Sequence, residues 1–260
     1  MHPLPPDPRA PVIAAALRRA GDEALARVRS AAATLKADGT WVTDADVAAE
    51  AALVEALGAA FPDDGVVSEE GTAREGRSGA VWYVDPIDGT HPFLEGLAHW
   101  GPTVCRVADG QLDVGAFYLP RTGELWFASA GGGAWRDGVR LRPPELEGVG
   151  RNDVLFLPSH AHRVGPIHWP GRSRALGCTA AHLALVASGG AAAAVVPTWR
   201  LWDIGCGALL LHEAGRALYA LSGARFDPMM ADGQPFFAAA AGVVPTVTAA
   251  FRALGPQSGS

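Results

Sequence analysis

Apolar residues recur along this chain at two spacings, one helical and one strand-like. Pro11 to Ala33 predicts a long helix with proline in its first turn, where a missing N–H costs nothing, and with Val12, Ala15, Ala16, Arg19 and Ala20 giving a mixed face. Asp38-Gly39-Thr40 reads as a hairpin turn. Asp44 to Phe61 predicts a second helix, apolar at Val47, Ala51, Val54, Leu57 and Ala60. Gly65-Val66-Val67 and Val81-Trp82-Tyr83-Val84 are short strand-like runs. From His99 to Ala130 three such runs alternate with turns at Asp109-Gly110 and Arg121-Thr122-Gly123, which predicts an antiparallel meander.

Past the Arg142-Pro143-Pro144 loop the pattern predicts a strand at Val154 to Leu157, a helix from Thr179 to Ser188 and a strand at Ala192 to Val196. A helix from Asp203 to Ala214 and a hairpin through Leu218 to Phe226 complete it. Helices and strands alternate without a strict βαβ repeat, so the fold class is α/β in the broad sense (α+β). We place a boundary in the proline- and charge-rich stretch around 142–151. This gives an N-terminal lobe over 1–145, a C-terminal lobe over 146–254 and a linker-like tail over 255–260. The five prolines between Met1 and Pro11 suggest a loose arm with no apolar core of a signal peptide.

Composition narrows the class. The 260 residues, 49% of them apolar, suffice for one large core or two fused lobes. A net charge of −6 speaks against a nucleic-acid binder. The alanine-rich stretches are broken well short of the roughly 18 apolar residues that a membrane span needs. Cys105, Cys178 and Cys206 are too widely spaced for a zinc motif or a disulfide framework, and free buried thiols suit a cytoplasmic location.

The candidate chemistry centres on Asp85-Pro86-Ile87-Asp88-Gly89-Thr90, directly behind the apolar run at 81–84. Pro86 and Gly89 let the chain reverse, so two carboxylates can converge while the amides of Gly89 and Thr90 face an anion. An ordinary Asp/Pro/Gly turn is the plain alternative. Three further acidic clusters accompany it: Thr43-Asp44-Ala45-Asp46, Ser68-Glu69-Glu70-Gly71 and Leu201-Trp202-Asp203-Ile204-Gly205. Singly, Asp46 is also a helix-capping residue and Asp203 a helix-start acid.

In this order and with these gaps, the set resembles the inositol monophosphatase family of metal-dependent, lithium-sensitive phosphatases, from about Lys36 to about Gly215. The resemblance implies the layered αβαβα sandwich of the inositol monophosphatase/fructose-1,6-bisphosphatase type, with metals between the two halves. It makes Glu69, Asp85, Asp88 and Asp203 metal ligands, together with the Ile87 carbonyl. Asp46 would act through water and through a hydrogen bond to the Thr90 hydroxyl, and Lys36 matches a basic position near the metals. An all-oxygen set suits two or three Mg²⁺ ions, or Mn²⁺, over zinc. Glu69 would orient the attacking water, Thr90 and Asp46 would help remove its proton, and the amides of Gly89 and Thr90 would hold the phosphate.

The haloacid dehalogenase phosphatases share a similar turn, but two residues separate Asp85 from Asp88 where that pattern has one. His160, His162 and His168 read as a solvent-facing loop, and Thr179 as a helix cap. For the alcohol, inositol-specific members of the family carry a Glu seven residues before the Asp of the W-D motif, and Val196 occupies that position here. Trp199 and Arg200 offer a ring face and a cation instead. Inositol monophosphate is the leading substrate expectation, with histidinol phosphate, a sugar phosphate or a nucleotide as runners-up. The expected partner is a small phosphorylated metabolite, without nucleic acid or membrane and with homodimerisation left open. A non-enzymatic role beside the transcription machinery is the competing class.

Overall fold

The computed structural model describes residues 3–28, 30–36, 39–161, 167–230 and 233–252. Helix α1 (Ala10–Leu25) buries Ile13, Leu17, Ala20 and Ala24, one residue per turn on one face. It is shorter than the Pro11 to Ala33 helix expected, because β1 (Ala33–Leu35) pairs antiparallel with β2 (Trp41–Thr43) across the predicted hairpin. Ala37 and Asp38 of that turn lie outside the described residues. Helix α2 (Asp44–Ala60) starts at a capping box, in which the Thr43 hydroxyl accepts from Ala45 N and Asp46 N while Asp46 accepts from Thr43 N. Its inner face carries Ala45, Ala49, Leu53 and Leu57 together with the acids Asp46 and Glu50, and Val47 is 59% exposed.

These two helices cover one face of an eight-stranded sheet. The strands are β3 (Gly65–Ser68), β4 (Ala73–Arg74), β5 (Val81–Asp88), β6 (Gly101–Ala108), β7 (Gln111–Leu119), β8 (Glu124–Ser129), β9 (Gly133–Arg136) and β10 (Val139–Arg140), in the order β10-β9-β8-β7-β6-β5-β3-β4. The predicted meander is β6 to β8. Its first turn takes Asp109 and Gly110 at φ of 50° and 73°, the left-handed pair that matches strand twist in a tight hairpin. Among the described residues, only β3 and β5 pair in parallel in this sheet.

A short helix, α3 (Thr90–Leu94), follows β5. Helices α4 (Thr179–Ala187) and α5 (Leu201–Glu213) fill the space between the first sheet and a second one. The second sheet contains β11 (Val154–Phe156), β12 (Arg172–Arg174), β13 (Ala193–Val196), β14 (Ala217–Ala220) and β15 (Phe236–Ala239), ordered β12-β11-β13-β15-β14. Beyond β14 the expected hairpin forms only one bridge, Tyr219 to Arg225, and β14 takes β15 as its ladder partner. Helix α6 (Val244–Arg252) packs on the outer face through Val247. The layers are thus α1/α2, sheet, α4/α5, sheet, α6, the αβαβα sandwich expected.

One core cluster runs from Phe117 and Trp126 of the first sheet through α4 and α5 to Phe236 and Ala238 of the second. The proline-rich start of the chain is tied down, contrary to a loose arm. Pro5 is buried and Leu4 packs on the core, while Arg9 binds Asp7 and, at 2.7 Å, Asp113 of β7. All three cysteines are free and buried.

Candidate metal centre

Strand β5 carries Asp85 into the interior and continues to Asp88 through an irregularity in its pairing with β6. Asp85 is 2% exposed, and one of its oxygens accepts from Ile87 N at 2.8 Å. Gly89 ends the strand at φ +95°, where a side chain would be strained and would press on Cys178, His99 and Trp100. Glu69 follows β3 and is fixed to the neighbouring strand by its amide, which donates to Val84 O at 3.0 Å. Asp203 lies in the first turn of α5, with Oδ2 accepting from Arg200 N at 2.6 Å.

Three distant segments therefore meet. One carboxylate oxygen each from Glu69, Asp85 and Asp203 lies within 4.8 Å of the others. A purely oxygen donor set on rigid strand and helix ends fits a hard cation such as Mg²⁺.

The electrostatics agree with a site built for cations. Burial, then Glu69, Asp88 and Asp203, pushes Asp85 well above the ordinary carboxylate range. Burial and Asp88 raise Asp203 to about 8. Asp88 rises to about 6 through burial, against hydrogen bonds that favour its charged form. Burial likewise lifts Asp46 to about 6 against its Thr43 bonds. Acids this crowded need positive charge beside them. Lys36 supplies some, reaching Glu70 at 2.7 Å and Glu69 at 3.4 Å. At Glu70 burial still outweighs that ion pair and lifts the acid to about 7.

Asp88 stands beside the tight triad and couples to it electrostatically. Its own oxygens accept from the amides of Thr179 and Ala180 and from the Cys178 thiol at the start of α4. Asp88 and Cys178 thereby cap α4; Thr179, expected as the cap, is the first helical residue. Asp46 is buried at the head of α2, but the expected hydrogen bond with Thr90 is replaced. Asp46 takes the Thr43 hydroxyl at 2.6 Å, and the Thr90 hydroxyl points to the Ile87 carbonyl at 3.4 Å. The capping box satisfies Asp46 locally, and Thr90, as the first residue of α3, reaches back one turn. Gly89 and Thr90 present the N-terminal amides of α3, groups without intrahelical partners.

Among the residues expected to read the alcohol, Trp199 is corrected. It is 8% exposed, stands edge-on to Phe226 and Phe236, and donates its indole N–H to Gln234 O, so it offers no free ring face. Val196 is 2% exposed, yet it helps line a cleft of about 580 Å³ between α3 and the start of α4. His91, Glu95, His160, Thr179 and Thr198 supply polar wall to that cleft. Arg200 is exposed beside Asp203, its guanidinium on Trp199 O at 3.1 Å. His160 and His168 are exposed as expected, and His162 lies outside the described residues. From the sequence Glu70 is only a member of the acidic turn and Cys178 only a free thiol, and neither is expected to touch the site. Adjacency to Glu69 was the available signal for the first, and nothing in the linear pattern pointed Cys178 at Asp88.

The profile of the Inositol monophosphatase family matches residues 7–247. A histidinol-phosphatase of Mycobacterium tuberculosis (strain ATCC 25618 / H37Rv) is 34% identical over 229 residues, 82% of this chain and 87% of that protein. A protein of Pasteurella multocida (strain Pm70) named Nus factor SuhB is 31% identical over 193 residues, 70% of this chain and 72% of its own length. Among solved structures, the extragenic suppressor protein suhB of Bartonella henselae superposes with a TM-score of 0.84 at 25% identity, covering 95% of this chain and 98% of that one.

Proposed function

The chain belongs to the inositol monophosphatase family, a family of phosphomonoester hydrolases, and on that premise we propose that it uses Mg²⁺ to release phosphate from a small phosphorylated alcohol. The observation that carries this reading is the convergence of Glu69, Asp85 and Asp203 within 4.8 Å from three separate segments. These residues, with Asp88 and the Ile87 carbonyl beside them, would hold the ions, and Mn²⁺ is a workable substitute. Bound there, Mg²⁺ would neutralise the carboxylates, acidify a water and draw charge from the phosphate.

The protein groups have separate tasks. Glu69, with 25% of its side chain exposed, orients the attacking water. Thr90 and Asp46 are the proposed proton acceptors, which requires the Thr90 hydroxyl to leave the Ile87 carbonyl and Asp46 to release Thr43. The amides of Gly89 and Thr90 hold the phosphate oxygens as negative charge builds. Asp203, fixed by the Arg200 amide, completes the set of carboxylates that would hold the ions.

Inositol monophosphate is the first substrate to try. Histidinol phosphate is the second reading, and the buried Val196 favours it, because a polyol hydroxyl facing an apolar wall loses a partner at about 1 to 3 kcal/mol. The cleft beside α3 and the start of α4, with Glu95 and three histidines, His91, His160 and His182, on its wall, suits an amine or imidazole better. Phosphate release from a panel of phosphomonoesters, with Mg²⁺ and after exhaustive chelation, tests the proposal. Activity only with Mg²⁺, inhibited by Li⁺, is expected; full activity after chelation would sink it. No turnover on any ester would favour the non-enzymatic class to which the Nus factor relative points.

A further inference from the structure

Helix α2 sends two acids inward one turn apart, Asp46 and Glu50, and the second has no place in the chemistry above. Glu50 is 6% exposed. Among the described residues its bonded partners are two hydroxyls, with no ion pair to Lys or Arg. Ser68 Oγ donates to one oxygen at 2.6 Å, and Thr72 Oγ1 donates to the other. Burying a carboxylate without a cation is expensive, so packing alone would favour an apolar residue at this position.

What the two hydroxyls share is the turn they bracket. Ser68 N donates to Thr72 O at 2.8 Å, closing a loop whose intervening residues are Glu69, Glu70 and Gly71. Gly71 takes φ +103°, a conformation that lets the chain turn back from β3 into β4. Glu50 therefore grips both feet of the turn that carries Glu69, and charge-assisted hydroxyl bonds are short and directional.

We propose that Glu50 is a positioning residue: through Ser68 and Thr72 it holds the Glu69 turn in the place from which Glu69 reaches the cation. This rests on the reading of Glu69, Asp85 and Asp203 as a Mg²⁺ site. It predicts that loss of the grip weakens Mg²⁺ binding itself, before any substrate is present. Isothermal titration calorimetry of the metal-free full chain with MgCl₂ reads this directly, and unfolding curves of the same samples report stability.

Glu50→Ala is expected to raise the Mg²⁺ dissociation constant at least tenfold. Glu50→Gln keeps the shape and can still bond both hydroxyls, so it is expected to stay within about threefold of the parent. Ser68→Ala should weaken binding as well, and adding it to Glu50→Ala should cause little further loss, because the two act through one contact. Unchanged Mg²⁺ affinity in Glu50→Ala with only a lower Tm would make Glu50 a structural residue and overturn the proposal. A Gln variant as poor as Ala would assign the effect to charge instead of position, and would overturn it too. If Glu50→Ala does not fold, Ser68→Ala and Thr72→Val, singly and together on the intact Glu50, carry the same comparison. A parent protein that binds no Mg²⁺ would remove the metal-site reading and this inference together, whereas a parent that binds and a Glu50→Ala variant that binds equally removes the inference alone.

Discussion

Asp203 shows how one side chain can belong both to a helix start and to a carboxylate cluster. One oxygen accepts the Arg200 amide in the first turn of α5, and the carboxylate also completes the triad with Glu69 and Asp85. Asp203→Asn keeps an oxygen for the amide and removes the charge, which separates the two roles. Phosphatase turnover is expected to fall by more than the roughly 10- to 100-fold that loss of a metal ligand's supporting partner brings. Above about pH 8 in chelator, where Asp203 is ionised, the Tm should be no lower than the parent's, since a repelled charge has gone. Retention of half the activity would leave Asp203 as a helix-start acid. That Glu69, Asp85 and Asp203 converge could be anticipated from the linear motifs because each sits beside its own turn or helix signal. Their hydrogen bonds could not. Whether Asp46 meets Thr90 or Thr43 depends on a capping box competing with a tertiary contact, and the local partner wins.

The elements carrying these residues are placed by close packing that only small side chains permit. Helix α5 lies against the first sheet at Gly205, whose missing side chain makes room for the Cys105 sulfur, while Gly115 of β7 makes room for Cys206. Gly207 does the same toward Leu183 of α4. Alanine in a helix is intrinsically better than glycine by about 1 kcal/mol. Overpacking a filled core costs about 1 to 3 kcal/mol, and here backbone-close neighbours leave little room to yield. Gly205→Ala is therefore expected to lower the Tm and to reduce kcat by shifting Asp203, as thermal unfolding and steady-state kinetics would show; a higher Tm would mean that α5 has slack. The sequence pattern placed most helices and strands to within a few residues, and among its misreadings, which include the Leu218 to Phe226 hairpin and the loose N-terminal arm, two have a clear physical cause. It ran α1 on to Ala33, since alanine-rich sequence is helical by propensity and the pairing of β1 with β2 is not visible in one strand alone. It also chose the wrong face of α2, because Asp46 and Glu50 are polar residues on the buried side. Two buried acids invert the usual hydrophobic rule there.

Across the whole molecule the acids make stability depend on pH and on metal together. In metal-free protein Asp203 titrates at about 8, and Asp46 and Asp88 at about 6, above the ordinary carboxylate value near about 4. Folded-state values raised in this way mean that the folded chain keeps protons the unfolded chain releases. The associated stability is fully present below the unfolded value and is lost as pH rises, first through about 6 and then through about 8. Acids held low by arginine, such as Asp64 beside Arg106, titrate below this window and stay ionised throughout it. The Tm of chelated protein is expected to fall from about pH 5 to about pH 8.5, and Mg²⁺ is expected to raise it more at the upper end. A Tm that climbs over that range without metal would contradict the crowding. The shared core between the two sheets has a bearing on how the chain is made. Glu69 and Asp85 emerge from the ribosome long before Asp203, and the helix carrying Asp203 has no seat until strands from both sheets are in place. Closing so long a loop is slow and entropically opposed. On the metal-site reading, an unfinished chain would hold an open pair of acids with little grip on a cation, and capture of the ion would mark a polypeptide whose synthesis has passed α5 and whose two sheets have docked.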